Sequence, residues 1–406
     1  MPALLACELA GGLTNQENQV GNCIQLASTL ERDLVPPRPR VFLENSAAVP
    51  VLDDGNGGSL PYHRLWDLQH LRSCARKRYG VHVATDALST QSSRHTEGME
   101  LSLMWSRGDP NVNWTFTHVS YVTRDPRKGA HTASAGSRSP HTKHILSTVS
   151  ITKPTAGMLL PEHGRAAAQA VLRERVPRAI PMVVAREPFY ALSSRITPND
   201  TCAVPSAAIR ARIDTIRATL GNYACLHARL EEDWFNYCCV RGSLQRGKVT
   251  AASEMEMKRA LNAHSSTYAN WTKSGGPGVP PACGVRNGHS MHAPPRHCFA
   301  SADQIARVML RTVSVARRST VYVATGVRDD LLEPIAAHFH VARRPSSTAK
   351  DAPLLSYEDA LVDRGVCERA PLGFFGHELS TFSMLIDQMR SSRGGMVPTV
   401  WWNKEI

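Results

Sequence analysis

The sequence predicts an α/β protein built of two units, each a mostly parallel sheet layered with helices. Three observations carry this reading. Near the start, an apolar run over residues 4–9 meets a Gly11-Gly12 turn, and Val20, Cys23, Ile24, Ala27 and Leu30 then recur at helical spacing, giving strand, glycine loop and helix in succession. The last third of the chain repeats the alternation of short apolar runs with helical patterns, the signature of a parallel sheet. The 406 residues suit two domains at roughly 100–200 residues each. A boundary before Pro205 gives an N-terminal unit over 1–204 and a C-terminal unit over 205–406, with a loop-rich insertion at 241–298.

The elements follow in order. Residues 44–62, rich in Gly, Pro and Asp, read as a loop, as does the Ser-, Gly-, Arg- and His-rich stretch 123–144. After Pro205, Ile209, Ile213, Ile216 and Leu220 form one helical stripe. Residues 223–230 alternate as a strand does: Ala224, Leu226, Ala228 and Leu230 point one way, Tyr223, Cys225, His227 and Arg229 the other. Ser301 and Gln304 have capping-box spacing ahead of Ile305, Val308 and Met309. Residues 320–324 form a strand closed by Thr325-Gly326, and Leu331, Leu332, Ile335, Ala336 and Phe339 suit a short helix. A brief strand at 373–376 precedes a helix capped by Ser380 and carrying Phe382, Leu385, Ile386 and Met389.

Lys and Arg number 47 against 35 Asp and Glu, a net charge of +12 that favours an anionic partner. No nucleic-acid-binding signature accompanies it, so nucleic acid is not the expected partner. No apolar stretch approaches the roughly 20 residues that span a bilayer. The opening residues lack the charged and apolar regions of a signal peptide. Three N-x-Thr sequons, at Asn113, Asn199 and Asn270, are glycan acceptors in a secretory context. Ten cysteines form an even set, open either to several disulfides or to buried thiols. Cys283, His289, His292, His297 and Cys298 crowd one loop, but their spacing fits no standard zinc site, and a Cys283–Cys298 disulfide is the expectation there.

Three segments hold the chemistry. The first is Gly11-Gly12-Leu13-Thr14-Asn15-Gln16; the second is His227-Ala228-Arg229-Leu230-Glu231-Glu232-Asp233-Trp234; the third runs from Asp363 to Cys367 and on through Phe375-Gly376-His377-Glu378-Leu379-Ser380-Thr381-Phe382-Ser383. With weaker echoes at Leu65-Trp66-Asp67-Leu68 and 321–325, and in this order, they resemble the GDP-fucose protein O-fucosyltransferase superfamily. The resemblance spans nearly the whole chain. It implies a GT-B architecture of two Rossmann-like domains facing a cleft, acceptor side first and nucleotide-sugar side second. It also implies a GDP-sugar donor, a protein or glycan acceptor and no metal cofactor.

The residues make physical sense in those roles. Arg229 keeps its charge and can grip two phosphate oxygens, so it is the expected catalytic group that stabilises the departing diphosphate. In isolation an H-x-R triplet is ordinarily a surface-paired Arg beside a core His; the flanking segments tilt the reading toward a site. His227, two residues earlier, is expected to orient the phosphate or nucleotide. Gly11 and Gly12 open a helix whose backbone N–H groups favour anions. The resemblance places Asn15, whose amide both donates and accepts, beside the donor. Ser380 and Thr381 open a second helix and could bind the diphosphate, with Phe382 packing near the base. The resemblance also makes Asp363 a guanine acceptor.

Absences narrow the class. There is no D-x-D metal motif, Walker A loop, G-x-S-x-G elbow or G-x-G-x-x-G fingerprint. One departure matters: animal O-fucosyltransferases carry Arg or a catalytic Glu at the second position of the opening motif, whereas Gly12 stands here, as in plant-type relatives. No general base transfers. Either the leaving diphosphate accepts the proton, or Glu17 or another carboxylate does. The resemblance thus implies inverting transfer of fucose from GDP-fucose to a Ser/Thr or glycan hydroxyl, and the sequons and cysteines suit the Golgi or endoplasmic reticulum lumen. A truncated N-terminus would account for the absent signal, with membrane contact only through an anchor there. Transfer of rhamnose or mannose, or an inactive nucleotide- or sugar-binding relative, are the alternatives.

Overall fold

The computed structural model describes residues 3–9, 13–37, 39, 61–84, 95–104, 111–123, 141–154, 170, 172–186, 201–245, 268–272, 283, 285–286, 289–290, 294–295, 297–312, 315–344, 352–394 and 397–406. The chain divides into two compact units, Met1–Arg210 with Ser347–Leu361, and Ala211–Ser346 with Val362–Ile406.

In the first unit, β1 (Leu4–Glu8) leads into α1 (Leu13–Leu30) and β2 (Asp33–Leu34), as the sequence predicts. Helix α1 buries Leu13, Val20, Cys23, Ile24, Ala27 and Leu30. A Cys7–Cys23 disulfide fastens it to β1. After α2 (Leu68–Tyr79) come three strands, β3 (His95–Met104), β4 (Asn111–Thr123) and β5 (His141–Pro154), then β6 (Met182–Arg186). The sheet order is β2-β1-β6-β3-β4-β5. Strands β2, β1, β6 and β3 run parallel, while β4 and β5 add on as an antiparallel meander. Of the loop expected over 123–144, residue 123 closes β4 and 141–144 open β5, a correction at its two ends; the rest lies outside the described residues. Buried Arg32 donates to the carbonyls of Pro177 and Ile180, at 3.0 and 2.7 Å, which ties the turn after α1 to the approach to β6.

The second unit contains most of α3 (Ala207–Leu220), then β7 (Tyr223–His227), α4 (Glu232–Gln245), α5 (Ala302–Arg311), β8 (Thr320–Ala324), β9 (His340–Ala342), the end of α6 (Ala352–Glu368), β10 (Phe374–Gly376), α7 (Thr381–Arg393), β11 (Thr399–Trp401) and α8 (Trp402–Glu405). The order β9-β8-β7-β10-β11 is parallel throughout. Counted within the unit, that is 3-2-1-4-5, half of a doubly wound nucleotide-binding fold.

Strand β7 is the centre, and its alternation is the one read from sequence. Ala224, Leu226, Ala228 and Leu230 join Ile305, Val308 and Met309 of α5 in one apolar core. On the other face the Tyr223 hydroxyl donates to the Val366 carbonyl at 2.8 Å, and Cys225 is bonded to Cys367, both on α6. Gly365 lets α6 approach closely, since a Cβ there would lie 2.3 Å from the Ile213 Cδ1. The Ser301–Gln304 capping box forms as predicted.

All ten cysteines are paired, which decides between bridges and buried thiols. The expected Cys283–Cys298 bridge is not among the pairs. Cys238 joins Cys298 and Cys239 joins Cys283, from adjacent positions on α4. Proximity in sequence does not decide a pairing; the Cα separation does, and α4 brings these pairs within 5.6 and 5.4 Å.

Candidate active site

In open α/β sheets, ligands bind beyond the carboxyl ends of the strands where the strand order reverses. In the second unit that point lies between β7 and β10, which are hydrogen-bonded neighbours. Strand β7 ends at His227 and β10 ends at Gly376, so two of the sequence-identified segments emerge side by side. A Cβ on Gly376 would lie 2.8 Å from the Phe374 ring and 3.1 Å from the Ser383 Cβ, so only glycine permits α7 to start this close to β10.

The residues there interlock. His227 is buried; its Nδ1 lies 2.7 Å from the Ser383 hydroxyl oxygen, which also accepts the His377 backbone N–H at 3.1 Å. The Phe382 ring packs against the His227 ring with centroids 4.7 Å apart. The backbone N–H of Leu379 donates to His377 Nδ1, so the ring proton is on Nε2 and donates to the Cys298 carbonyl at 2.8 Å. The Trp402 indole N–H donates to the His227 carbonyl at 3.2 Å. Structure thus brings His227 and Phe382 together across more than 150 residues of sequence.

Arg229 stands two residues past the strand. Its guanidinium carbon is 4.7 Å from the centroid of the Trp234 ring, and Trp234 in turn meets the His377 ring edge-on at 4.9 Å. Nη1 is 3.4 Å from Glu231 Oε2, and the side chain remains 19% exposed. A paired Arg beside a core His is the ordinary reading of an H-x-R triplet, and the structure has both; the sequence did not name Glu231 as the partner, nor the roles of Trp234, His377, Ser383 and Trp402. All but Trp402 lie inside the quoted segments, one helical turn or one strand residue from the residues named.

Both histidines are held neutral. Burial pushes His227 well below the ordinary histidine range, with Arg229 and then His377 adding to it. His377 falls from 6.5 to about 4, chiefly through burial, against the opposing hydrogen bond to the Cys298 carbonyl. The sign of the pH effect follows. Below about pH 6.5 the unfolded chain binds protons that the folded chain refuses, so stability falls as pH drops towards about 4. The slope is expected to reach roughly 1.4 kcal/mol per pH unit for each histidine. Denaturant unfolding between pH 7 and pH 4 checks this, and His377→Gln is expected to remove its share of the slope.

The remaining sequence-identified residues are placed as follows. Ser380 is the buried N-cap residue of α7, but its hydroxyl makes no cap bond, which corrects the expected cap. The preceding turn is closed instead by His377, whose carbonyl accepts the Ser380 N–H at 3.0 Å. Thr381 is exposed beside it. Asp363 belongs to a different network: its two oxygens accept from the Tyr322 hydroxyl at 2.5 Å and from Arg344 Nη1 at 2.7 Å. In the first unit, Asn15 is half-buried on α1 and its carbonyl accepts from the Gln19 amide at 3.2 Å. Glu17, named as a possible base, is buried and accepts the Trp66 indole N–H at 3.0 Å. Gly11 and Gly12 lie outside the described residues. Cys283 and Cys298, bound in disulfides, have no thiolate to offer a zinc ion. No group of three or more His, Cys, Asp or Glu side chains is arranged for a metal among the described residues.

Known proteins bear on this geometry. The model of the GDP-fucose protein O-fucosyltransferase family matches residues 204–393, which include all of β7, β10 and α7. No curated protein sequence matches the chain. Among solved structures, POFUT1 in complex with GDP-fucose aligns with a TM-score of 0.51 at 12% identity, covering 98% of this chain and 97% of that one. POFUT1 in complex with GDP aligns at 0.51 and 13% identity, covering 98% of each. A second crystal form with GDP-fucose gives 0.51 and 14%. These likenesses show the fold, an α/β protein of the GT-B class, as the sequence resemblance implied.

Proposed function

We propose, for a chain whose residues 204–393 match the GDP-fucose protein O-fucosyltransferase family, that it moves fucose from GDP-fucose to a hydroxyl group with inversion at the anomeric carbon. The observation that carries this reading is the coincidence of the family match with the switch point. The matched H-x-R segment and the α7 start emerge from adjacent parallel strands at the place where a doubly wound sheet binds nucleotides.

The chemistry assigned to each group follows from its surroundings. The acceptor oxygen attacks the anomeric carbon as the bond to the β-phosphate oxygen breaks, and negative charge gathers on the diphosphate. Arg229 meets that charge, while neutral His227 and the first turn of α7, with Ser380 and Thr381, hold the phosphates by hydrogen bonds and the helix dipole. Asn15, with Gly11 and Gly12, is assigned to orienting the donor, as the resemblance implies. Asp363, held by Tyr322 and Arg344, is assigned to reading the base. The acceptor's proton passes to the departing diphosphate; Glu17, whose Oε1 accepts the Trp66 indole N–H, or another carboxylate is the alternative base. No metal is needed in this scheme. A folded protein's Ser or Thr is the acceptor favoured by the family's description, with a glycan hydroxyl second.

Five disulfides suit an oxidising compartment, and no helix among the described residues is long and apolar enough to cross a membrane. The disulfides support a place in the secretory lumen, Golgi or endoplasmic reticulum. The test is a thermal-shift panel of GDP, UDP, ADP and their sugars followed by a donor-turnover assay. A GDP-specific rise in melting temperature with release of fucose supports transfer. A GDP-specific rise without turnover supports a binding relative, and a rise specific to another nucleotide replaces fucose as the donor sugar.

A further inference from the structure

We propose that Glu231 is the positioning residue for Arg229, and that the position demands a carboxylate; this rests on the reading above that Arg229 meets the diphosphate. Glu231 lies in the turn between β7 and α4, with its side chain 16% exposed. Its two oxygens face opposite tasks. Oε1 accepts the Gly326 backbone N–H at 3.2 Å and lies 3.1 Å from the Thr325 hydroxyl, both at the exit of β8. Oε2 lies 3.4 Å from Arg229 Nη1. The Thr325 hydroxyl is also 2.8 Å from the Ala228 carbonyl, so the segment leaving β8 is fastened to the segment leaving β7 at the residue beside Arg229. One carboxylate therefore joins the ends of two neighbouring strands to the guanidinium, while Trp234 covers the guanidinium's face.

An arginine side chain is long and rotamer-rich, and its value at a reacting diphosphate depends on being held before the charge develops. Glu231 and Trp234 provide two such constraints. The chemistry of the Glu231 position explains why glutamine cannot replace it. Oε1 accepts the Gly326 N–H, while Oε2, which makes no hydrogen bond, faces the positive charge of Arg229. An amide offers one acceptor and one donor, so glutamine sets its NH2 against either the Gly326 N–H or the Arg229 guanidinium. Aspartate keeps both acceptor oxygens and loses only reach.

The test compares the full chain with Glu231→Gln, Glu231→Asp, Arg229→Ala and the Arg229→Ala/Glu231→Gln double variant, each checked for a native melting temperature. Glu231→Gln is expected to lower kcat for GDP-fucose turnover by about 10–100-fold, the effect of misplacing a reacting group by about an ångström. Its KM is expected to move by less than about threefold. Glu231→Asp is expected to retain more activity than Glu231→Gln. In the Arg229→Ala background, Glu231→Gln is expected to cost nothing further, in kcat or in the GDP-induced thermal shift, since it acts through Arg229. Wild-type turnover with Glu231→Gln unimpaired, with Gln better than Asp, or with multiplicative losses in the double variant overturns the inference alone. A wild-type chain inert to GDP and GDP-fucose overturns the proposed function and this inference with it.

Discussion

Replacing Arg229 with alanine is expected to lower kcat for GDP-fucose turnover by about 10²–10³-fold, equivalent to about 3–4 kcal/mol of transition-state stabilisation. The size follows from the company Arg229 keeps. His227 and His377 are both held neutral by burial, so neither supplies a positive charge to the diphosphate near neutral pH. Arg229 is thus the cation of this cluster, and the helix dipole of α7 contributes only a partial charge. Lysine in its place would keep the charge but lose both the two-pronged grip and the guanidinium's place over the Trp234 ring, so Arg229→Lys is expected to recover only part of the loss. The fold is expected to survive each change, because the residue lies past the end of β7 and outside the apolar core cluster. Steady-state kinetics with circular dichroism on the same samples checks both statements.

Removing the Cys225–Cys367 bridge by the double substitution Cys225→Ala/Cys367→Ala is expected to lower unfolding free energy by about 4–5 kcal/mol. The bridge closes a span of 142 residues, and the loop-closure entropy returned to the unfolded chain grows with that length. It also anchors the central strand β7 to α6, so the loss falls on the element that presents His227 and Arg229. The same substitution at Cys7 and Cys23, 16 residues apart, is expected to cost less, about 3 kcal/mol. Guanidinium titrations of the two variants test the ranking. Equal losses would show that strain or residual structure, rather than chain entropy, sets the contribution of these bridges.

Much of the second unit was legible because each local signal agreed with the next. The alternation over 223–230 gave a strand with two distinct faces, and both faces are used, one in the core with α5 and one against α6. The Ser301–Gln304 box and the strand at 320–324 were read at their true positions because their signals are contained within a few residues. Readings failed where the deciding contact is remote. The Ser-, Gly-, Arg- and His-rich composition over 123–144 hid the start of the strand at 141–154, whose pairing partner β4 begins some thirty residues earlier. Cys283 and Cys298 looked like partners by spacing, yet α4 supplies each with a different neighbour. Ser380 holds the cap position without the cap bond, because His377 closes the turn before it. Trp402 supports His227 from the far end of the chain, and no pattern near either residue announces it.

The central claim is that Arg229 faces a nucleotide diphosphate at the carboxyl ends of β7 and β10. A crystal structure of the chain soaked with GDP tests it most directly. The expected result places the phosphates within hydrogen-bonding distance of the Arg229 guanidinium and of the first turn of α7 at Ser380 and Thr381. GDP bound elsewhere, with Arg229 still paired to Glu231 and no phosphate near His227, would contradict it.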